Sequence, residues 1–165
     1  MLKKLLTQNT CTKCKQCCIF SNYDVWDLPV LSGAVREQCR TILPELEFIS
    51  KGIESYLFRI KETNPDGLFA CPVLDPESGC LLGDQKPFDC QIFPFQIVTI
   101  QNRHAIVLSR LCDAMMNTPV RKLTDFLEQE LAQKIFSYAQ KHPDVIRYYD
   151  DHSPVLFWEQ NRDQF

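Results

Sequence analysis

The chain has 165 residues, of which 45% are hydrophobic and 24% charged, a balance typical of a folded globular protein and unlike disordered, collagenous or coiled-coil chains. With 18 basic and 21 acidic side chains the net charge is −3, so the sequence carries no strong signal for binding nucleic acid. Nine cysteines are the unusual feature, and an odd number cannot all pair within one chain.

A cysteine-rich opening at residues 11–18 is followed by a predicted helix. Apolar residues recur every three or four positions across residues 24–50, with Asp24 as the candidate N-cap. Pro44 is expected to end or kink this helix, because proline cannot continue the hydrogen-bond ladder. Residues 45–54 are expected to add a further helical turn or two.

The middle of the chain is predicted to contain strands. Residues 56–61 partly alternate, residues 68–74 follow with strand character, and the Asn-Pro-Asp-Gly sequence at 64–67 predicts a tight turn between them. A second turn at residues 75–79 leads directly into Cys80.

A second hairpin is predicted from residues 95–100 and 105–108, and the clearest helix of the chain follows it. We expect Thr118 to cap this helix, Pro119 to take its first position and Pro143 to stop it. One apolar stripe is formed by Val120, Leu123, Leu127, Leu131, Ile135 and Tyr138.

These elements predict an α+β fold in which a small antiparallel sheet of hairpins is flanked by helices, with cysteine-rich metal-binding loops in the connections. A short helix is expected at residues 145–149. The length predicts one cysteine-cluster metal-binding domain over residues 1–165. Because no signal peptide and no run of ~18 apolar residues is present, we expect a cytoplasmic protein without a membrane partner.

The opening motif carries the strongest chemical signal. Cys11, Cys14 and Cys17 stand at spacing three, so two C-x-x-C steps run in series, and a loop of this kind lets thiolates converge on one metal centre. The same spacing opens the bacterial ferredoxin motif, in which cysteines hold corners of a cubane cluster. In extended backbone the adjacent Cys18 would point away from Cys17, which leaves three alternatives for one of the two: a ligand of a second metal, a redox thiol or a buried residue.

The later cysteines arrive singly, mostly near predicted turns. Cys71 precedes a proline, as the last cysteine of the ferredoxin motif does. Cys39 lies within the apolar stripe of the first helix and is interpreted as a buried core residue. The candidate metal ligands are therefore Cys11, Cys14, Cys17, Cys18, Cys71, Cys80, Cys90 and Cys112.

Two cofactors fit these thiols. The serial spacing, the Cys71-Pro72 pair and the scarcity of histidine favour an iron–sulfur cluster of the 4Fe-4S type. Zinc is the alternative, because any four thiolates can hold it and clustered cysteines in a reducing compartment are commonly metal ligands. Eight thiolates would also suit two centres.

The ordered motifs resemble the CxxCxxCC (YkgJ-like) family of cysteine-cluster proteins, described as zinc- or iron-chelating domains. The matching segments are Cys11 to Cys18, Cys71-Pro72-x-Leu74, Gly79-Cys80, Lys86-Pro87-x-x-Cys90 and Phe93-Pro94-Phe95. The chain departs from the family pattern at Leu82, Lys86 and Gln91, where an aromatic residue and two arginines are common. The resemblance implies metal chelation, and related clusters occur in enzymes that methylate flagellin lysines.

Two classes of function follow from these observations. The first is a metal-centre protein whose cluster is structural, electron-transferring or sensory, or whose zinc supports a module that binds a protein partner. The second is an enzyme, either of redox chemistry or of protein modification, with the centre in its active site. The sequence has no glycine-rich phosphate loop, no nucleophile elbow and no convincing acid–base pair, so we favour the first class.

Overall fold

The computed structural model describes residues 1–21 and 28–160. The chain forms two compact units, Met1–Ile92 and Phe93–Phe165, which combine helices with small, mainly antiparallel sheets, so the predicted α+β class is confirmed. That residues 1–165 act as a single metal-binding domain stays a prediction. Within the described ranges, no helix is both long and apolar enough to cross a membrane.

The first unit is built around a three-stranded antiparallel sheet in the order β2-β4-β3. Phe48 lies opposite Phe58 in the β3–β4 hairpin, and their rings pack with centroids 5.8 Å apart. The helices of this unit are α1 (Gln8–Cys14), α2 (Gly33–Ile42) and α3 (Phe88–Ile92). The strands of the sheet are β2 (Leu31–Ser32), β3 (Phe48–Gly52) and β4 (Ser55–Phe58).

The helix predicted over residues 24–50 is much shorter than expected. It begins after Ser32, whose hydroxyl accepts a hydrogen bond from the Val35 amide at 3.4 Å. It ends at Leu43, immediately before Pro44, as predicted. Residues 48–52 form strand β3 instead of helical turns, because pairing with β4 overrides the local helical periodicity. The proposed cap Asp24 lies outside the described residues.

Two short antiparallel ladders adjoin the cysteines of the first unit. Strand β1 (Ile19–Phe20) pairs with β5 (Phe69–Ala70), and β6 (Leu74–Asp75) pairs with β7 (Gly79–Cys80). The two turns at 64–67 and 75–79 form as predicted, but the strands at 56–61 and 68–74 do not pair with each other. Their partners come from elsewhere in the chain, which local sequence patterns cannot show.

The core of the first unit lies directly beneath two cysteines. Its buried side chains are Leu31, Cys39, Phe58, Val73 and Leu82. Cys71 and Cys80 pack against this cluster as partly buried neighbours. The same apolar residues that fold the unit therefore also set the positions of two candidate ligands.

The second unit contains the predicted hairpin of β8 (Phe95–Ile100) and β9 (Arg103–Leu108), with Ile97 opposite Ile106. The turn is shorter than expected, because Gln101 and Asn102 alone connect the strands with φ of 47° and 63°. The strands β10 (Arg147–Tyr148) and β11 (Val155–Trp158) complete a sheet ordered β10-β8-β9-β11.

The long helix of the second unit is interrupted but keeps its predicted face. The separate short helix α4 (Asp113–Met116) precedes it, and its own segments are α5 (Val120–Phe126), a π-helical turn (Leu127–Leu131) and α6 (Ala132–Lys141). Leu123, Leu127, Leu131 and Ile135 are buried, as the stripe predicted, whereas Val120 is exposed.

The ends of this helix differ in detail from the prediction. Pro119 takes the capping position, whereas the Thr118 hydroxyl donates to the Ala114 carbonyl at 3.0 Å and does not cap it. The short helix expected at 145–149 is a 3₁₀ turn at Pro143–Val145 followed by strand β10.

Candidate metal centre

The opening cysteines are presented by a short helix and a 3₁₀ turn. Helix α1 begins after Thr7, whose hydroxyl accepts a hydrogen bond from the Thr10 amide at 3.2 Å. Cys11 and Cys14 are three residues apart on this helix, so they share one face, and both are exposed. Lys15 then reverses the chain with φ of 56°, and its amide donates to the Cys11 carbonyl at 3.1 Å.

Cys17 and Cys18 point to the same side, contrary to the expectation from extended backbone. They lie in the 3₁₀ turn Gln16–Cys18, and their Sγ atoms are 3.9 Å apart. Helical backbone does not alternate adjacent side chains as a strand does, which explains the difference. Cys17 is exposed and Cys18 half-buried, so the pair forms a vicinal dithiol at the surface.

Backbone pairing brings Cys71 to the opening motif across more than fifty residues. The Cys71 amide donates to the Cys18 carbonyl at 2.8 Å, and the adjoining β1–β5 ladder pairs Ile19 with Ala70. The predicted proximity of Cys71 to the opening loop therefore has a direct structural basis.

Cys80 reaches the same region through the β6–β7 hairpin. The turn is tied by Asp75, whose carboxylate accepts hydrogen bonds from the amides of Glu77 at 3.0 Å and Ser78 at 2.6 Å. Gly79 follows with φ of 87° and approaches Thr12 of helix α1 so closely that an added Cβ would lie 3.3 Å from the Thr12 hydroxyl. Lys15 also donates a hydrogen bond to the Pro76 carbonyl, which links the hairpin to the opening motif.

Cys90 is carried by helix α3. The carboxylate of its neighbour Asp89 accepts a hydrogen bond from the Val30 amide at 3.2 Å, which ties the helix to the chain just before β2. The thiol of Cys90 interacts electrostatically with Cys71, Cys17 and Cys80. The last three cysteines of the first unit and the opening motif therefore share one neighbourhood.

Burial and mutual repulsion keep the inner thiols protonated. Burial raises the pKa of Cys71 to about 12, and the neighbouring Cys80, Cys39 and Cys17 add to this rise. Burial likewise raises the pKa of Cys90 well above its usual range. Because metals bind thiolates, a metal bound here would displace these protons, and its affinity would increase with pH.

The contact between Cys17 and Cys18 and the positive charge of Lys86 change the pKa of the exposed thiols. The shared hydrogen bond with Cys18 is the main cause of the raised pKa of Cys17, followed by desolvation. Desolvation also raises the pKa of Cys11, while Lys86 lowers the pKa of both thiols through its positive charge. The sequence analysis did not predict this effect of Lys86 on the pKa of the two thiols. The available signal was its position four residues before the candidate ligand Cys90.

The candidate donor atoms are all cysteine sulfurs, which bind metals as thiolates. The distances between these sulfur atoms are not uniform. Two thiolates on one tetrahedral ion with ~2.3 Å bonds lie ~3.8 Å apart, which matches the Cys17–Cys18 separation of 3.9 Å. Across residues 1–21 and 28–160, however, no three cysteine sulfurs lie within 4.8 Å of one another. The described cysteines thus do not place three thiols at the spacing of ligands to a single ion.

Cys39 and Cys112 stand apart from this description. Cys39 is completely buried in the core of the first unit, as its sequence context predicted. Cys112 belongs to the second unit, where it is half-buried and precedes helix α4. Its membership of the metal centre stays a prediction.

The histidines offer two arrangements that sequence reasoning did not single out. The Nδ1 atom of His104 lies 2.9 Å from the Glu159 carboxylate, which joins β9 to the end of β11. Asp150, Asp151 and His152 place one potential ligand atom each within 4.8 Å of one another, and all three residues are exposed. Exposed acidic groups of this kind are common without an ion.

Comparisons with family models, with curated proteins and with solved structures give no match to this chain. The resemblance to the CxxCxxCC family therefore continues to rest on the motif residues alone.

We expect Gly79→Ala to lower the free energy of unfolding by about 1–3 kcal/mol, because an alanine at φ of 87° is strained and its Cβ would crowd Thr12. The matched control is Gly33→Ala at the start of helix α2, where an added Cβ meets nothing within 4 Å. Denaturant midpoints of the two variants provide the measurement. Equal midpoints would show that the Thr12–Gly79 contact does not hold the hairpin in place.

Proposed function

We propose that this chain is a metal-binding protein of the CxxCxxCC type that holds an iron–sulfur cluster with a redox, sensory or structural role. The observation that carries the proposal is the convergence on Cys17, whose thiol interacts with four others, those of Cys11, Cys18, Cys71 and Cys90. Cys11, Cys14 and Cys17 are exposed, so these three thiols are not part of an apolar core.

In this proposal the cysteines and Lys86 have different roles. Cys11, Cys14 and Cys17 would supply the opening thiolates, and Cys71, Cys80 or Cys90 would complete the centre. A bound cluster would supply one-electron chemistry or a structural cross-link. Lys86 would offset part of the negative charge of the thiolates. Nine free thiols are stable in a reducing compartment, so the cytoplasm is the proposed location.

Zinc is the second candidate, and the Cys17–Cys18 distance favours it. Their 3.9 Å separation suits two ligands of a single tetrahedral ion, without rearrangement of the 3₁₀ turn. With zinc, the protein would be a structural module or one that binds a protein partner, since this metal has no redox chemistry.

Anaerobic purification distinguishes the two metals. We expect brown protein with comparable amounts of iron and acid-labile sulfide, and with a visible spectrum that bleaches on reduction. Elemental analysis and the spectrum of the same sample provide the measurement. Colourless protein with stoichiometric zinc, prepared without oxygen from iron-supplemented cells, would overturn the iron–sulfur proposal and leave the zinc module standing.

A further inference from the structure

Cys17 and Cys18 supply two adjacent thiols, whereas each corner of a cluster binds only one thiolate. Cys17 and Cys18 lie 3.9 Å apart in a turn that keeps both thiols on one side. Ligands at different corners of a cubane bind different iron atoms and are therefore farther apart than ligands of one ion. If Cys17 occupies a corner, Cys18 is left adjacent to it as a surplus thiol.

We propose that Cys18 is a resolving thiol for Cys17, so that oxidation of this pair by a small-molecule disulfide opens the metal centre. The inference rests on the proposed function, since it describes how the same site is regulated. Cys17 is exposed and can be reached by a reagent from solution, while Cys18 is half-buried.

The reaction is a two-step thiol–disulfide exchange. The thiol of Cys17 gives its proton to solvent and its sulfur attacks glutathione disulfide; the S–S bond of the reagent breaks, and one glutathione thiolate leaves and takes up a proton. The thiol of Cys18 then loses its proton in the same way, and its sulfur attacks Cys17 in the mixed disulfide and expels the second glutathione as a thiolate, which is protonated. Two protein thiols are oxidised and one glutathione disulfide is reduced to two thiols. The new disulfide leaves Cys17 without a thiolate for the metal.

The surroundings of Cys17 favour the approach of glutathione disulfide, and the geometry of the new disulfide favours its later reduction. Glutathione disulfide is anionic, and the positive charge of Lys86 acts on the Cys17 sulfur that it must reach. Adjacent Cα atoms lie only ~3.8 Å apart, below the ~4.4 Å minimum of ordinary disulfides, so the bond would be strained. Strained disulfides are easily reduced, and excess glutathione would therefore restore the pair.

The test compares metal-loaded wild type with Cys18→Ser and with the thiol-count control Cys39→Ala. Metal release after addition of glutathione disulfide is followed with a chromogenic chelator, and the cross-link is located by peptide mass. We expect wild type and the Cys39 variant to release metal with a Cys17–Cys18 disulfide, and Cys18→Ser to release it about tenfold more slowly. Equal release from Cys18→Ser, or a disulfide at other cysteines, would overturn the switch.

The same experiment separates failure of the switch from failure of the proposed function. Metal content before oxidation reports on the proposed function alone, and release is therefore expressed as the fraction of the metal that each variant holds before oxidation. If no variant holds metal, the proposed function is wrong, and the peptide mass of oxidised metal-free wild type then decides the pairing. Formation of the Cys17–Cys18 disulfide there supports the resolving role, and its absence contradicts it.

Discussion

A variant in which Cys11, Cys14 and Cys17 are all serine is expected to lose most of its metal and to melt at a much lower temperature. The free energy of metal binding at thiolate sites contributes directly to folding, with apparent values of about 10–16 kcal/mol for structural zinc in small peptides. That is comparable to the whole stability of a typical domain, about 5–15 kcal/mol. Elemental analysis and thermal unfolding of the anaerobically prepared variant provide the measurements.

The variant at Cys39 is the matched control, because this thiol is buried in the core and is not a candidate ligand. Cys39→Ala should retain its metal and lose only the stability that a small core truncation costs. Full metal content and unchanged melting in the triple serine variant would contradict the metal centre itself. Cys112→Ser, analysed in parallel, shows whether the cysteine of the second unit holds metal as well.

Local chemistry predicted the parts of the fold whose partners are close in sequence. The β8–β9 hairpin was predictable because two runs of strand-forming residues flank a short polar segment that contains Gln101 and Asn102. The buried stripe of the second unit was predictable because its period is helical. The turn at 75–79 was predictable because Asp75 can accept hydrogen bonds from the amides that follow it.

The errors arise where distant segments decide the structure. Residues 48–52 have a local pattern compatible with helix, yet they form β3 because β4 offers a paired edge. Strand β5 pairs with β1, nearly fifty residues earlier, which no local period encodes. The tertiary placement of Cys71 beside Cys18 depends on that pairing, so the order of the cysteines suggested a shared site but could not position it.

The vicinal cysteines show a different limit to what the sequence can predict. Sequence alone could not decide between extended and helical backbone at Cys17 and Cys18, and this choice alone determines whether their thiols diverge or converge. Lys15 decides it by taking a left-handed conformation that ends helix α1 and starts the 3₁₀ turn. One residue with positive φ thus brings two thiols that would otherwise diverge together as a vicinal dithiol.

The core beneath the cysteines provides a second large effect, because Phe58→Ala should lower the free energy of unfolding by about 3–5 kcal/mol. Phe58 is completely buried, packs with the ring of Phe48, and belongs to the cluster on which Cys71 and Cys80 rest. Removal of its ring leaves a cavity that the small first unit cannot refill without moving these cysteines. We therefore expect weaker metal binding together with reduced stability.

Ile53→Ala is the matched control, since Ile53 lies between strands of the same β3–β4 hairpin but is 96% exposed. A surface truncation of this kind should change stability by no more than about 0.5 kcal/mol and leave the metal affinity unchanged. Denaturant unfolding of the metal-loaded and metal-free forms separates the two contributions for each variant. If Phe58→Ala destabilised the metal-free form but bound metal as tightly as wild type, the ligands would be positioned by their own loops and not by the core beneath them.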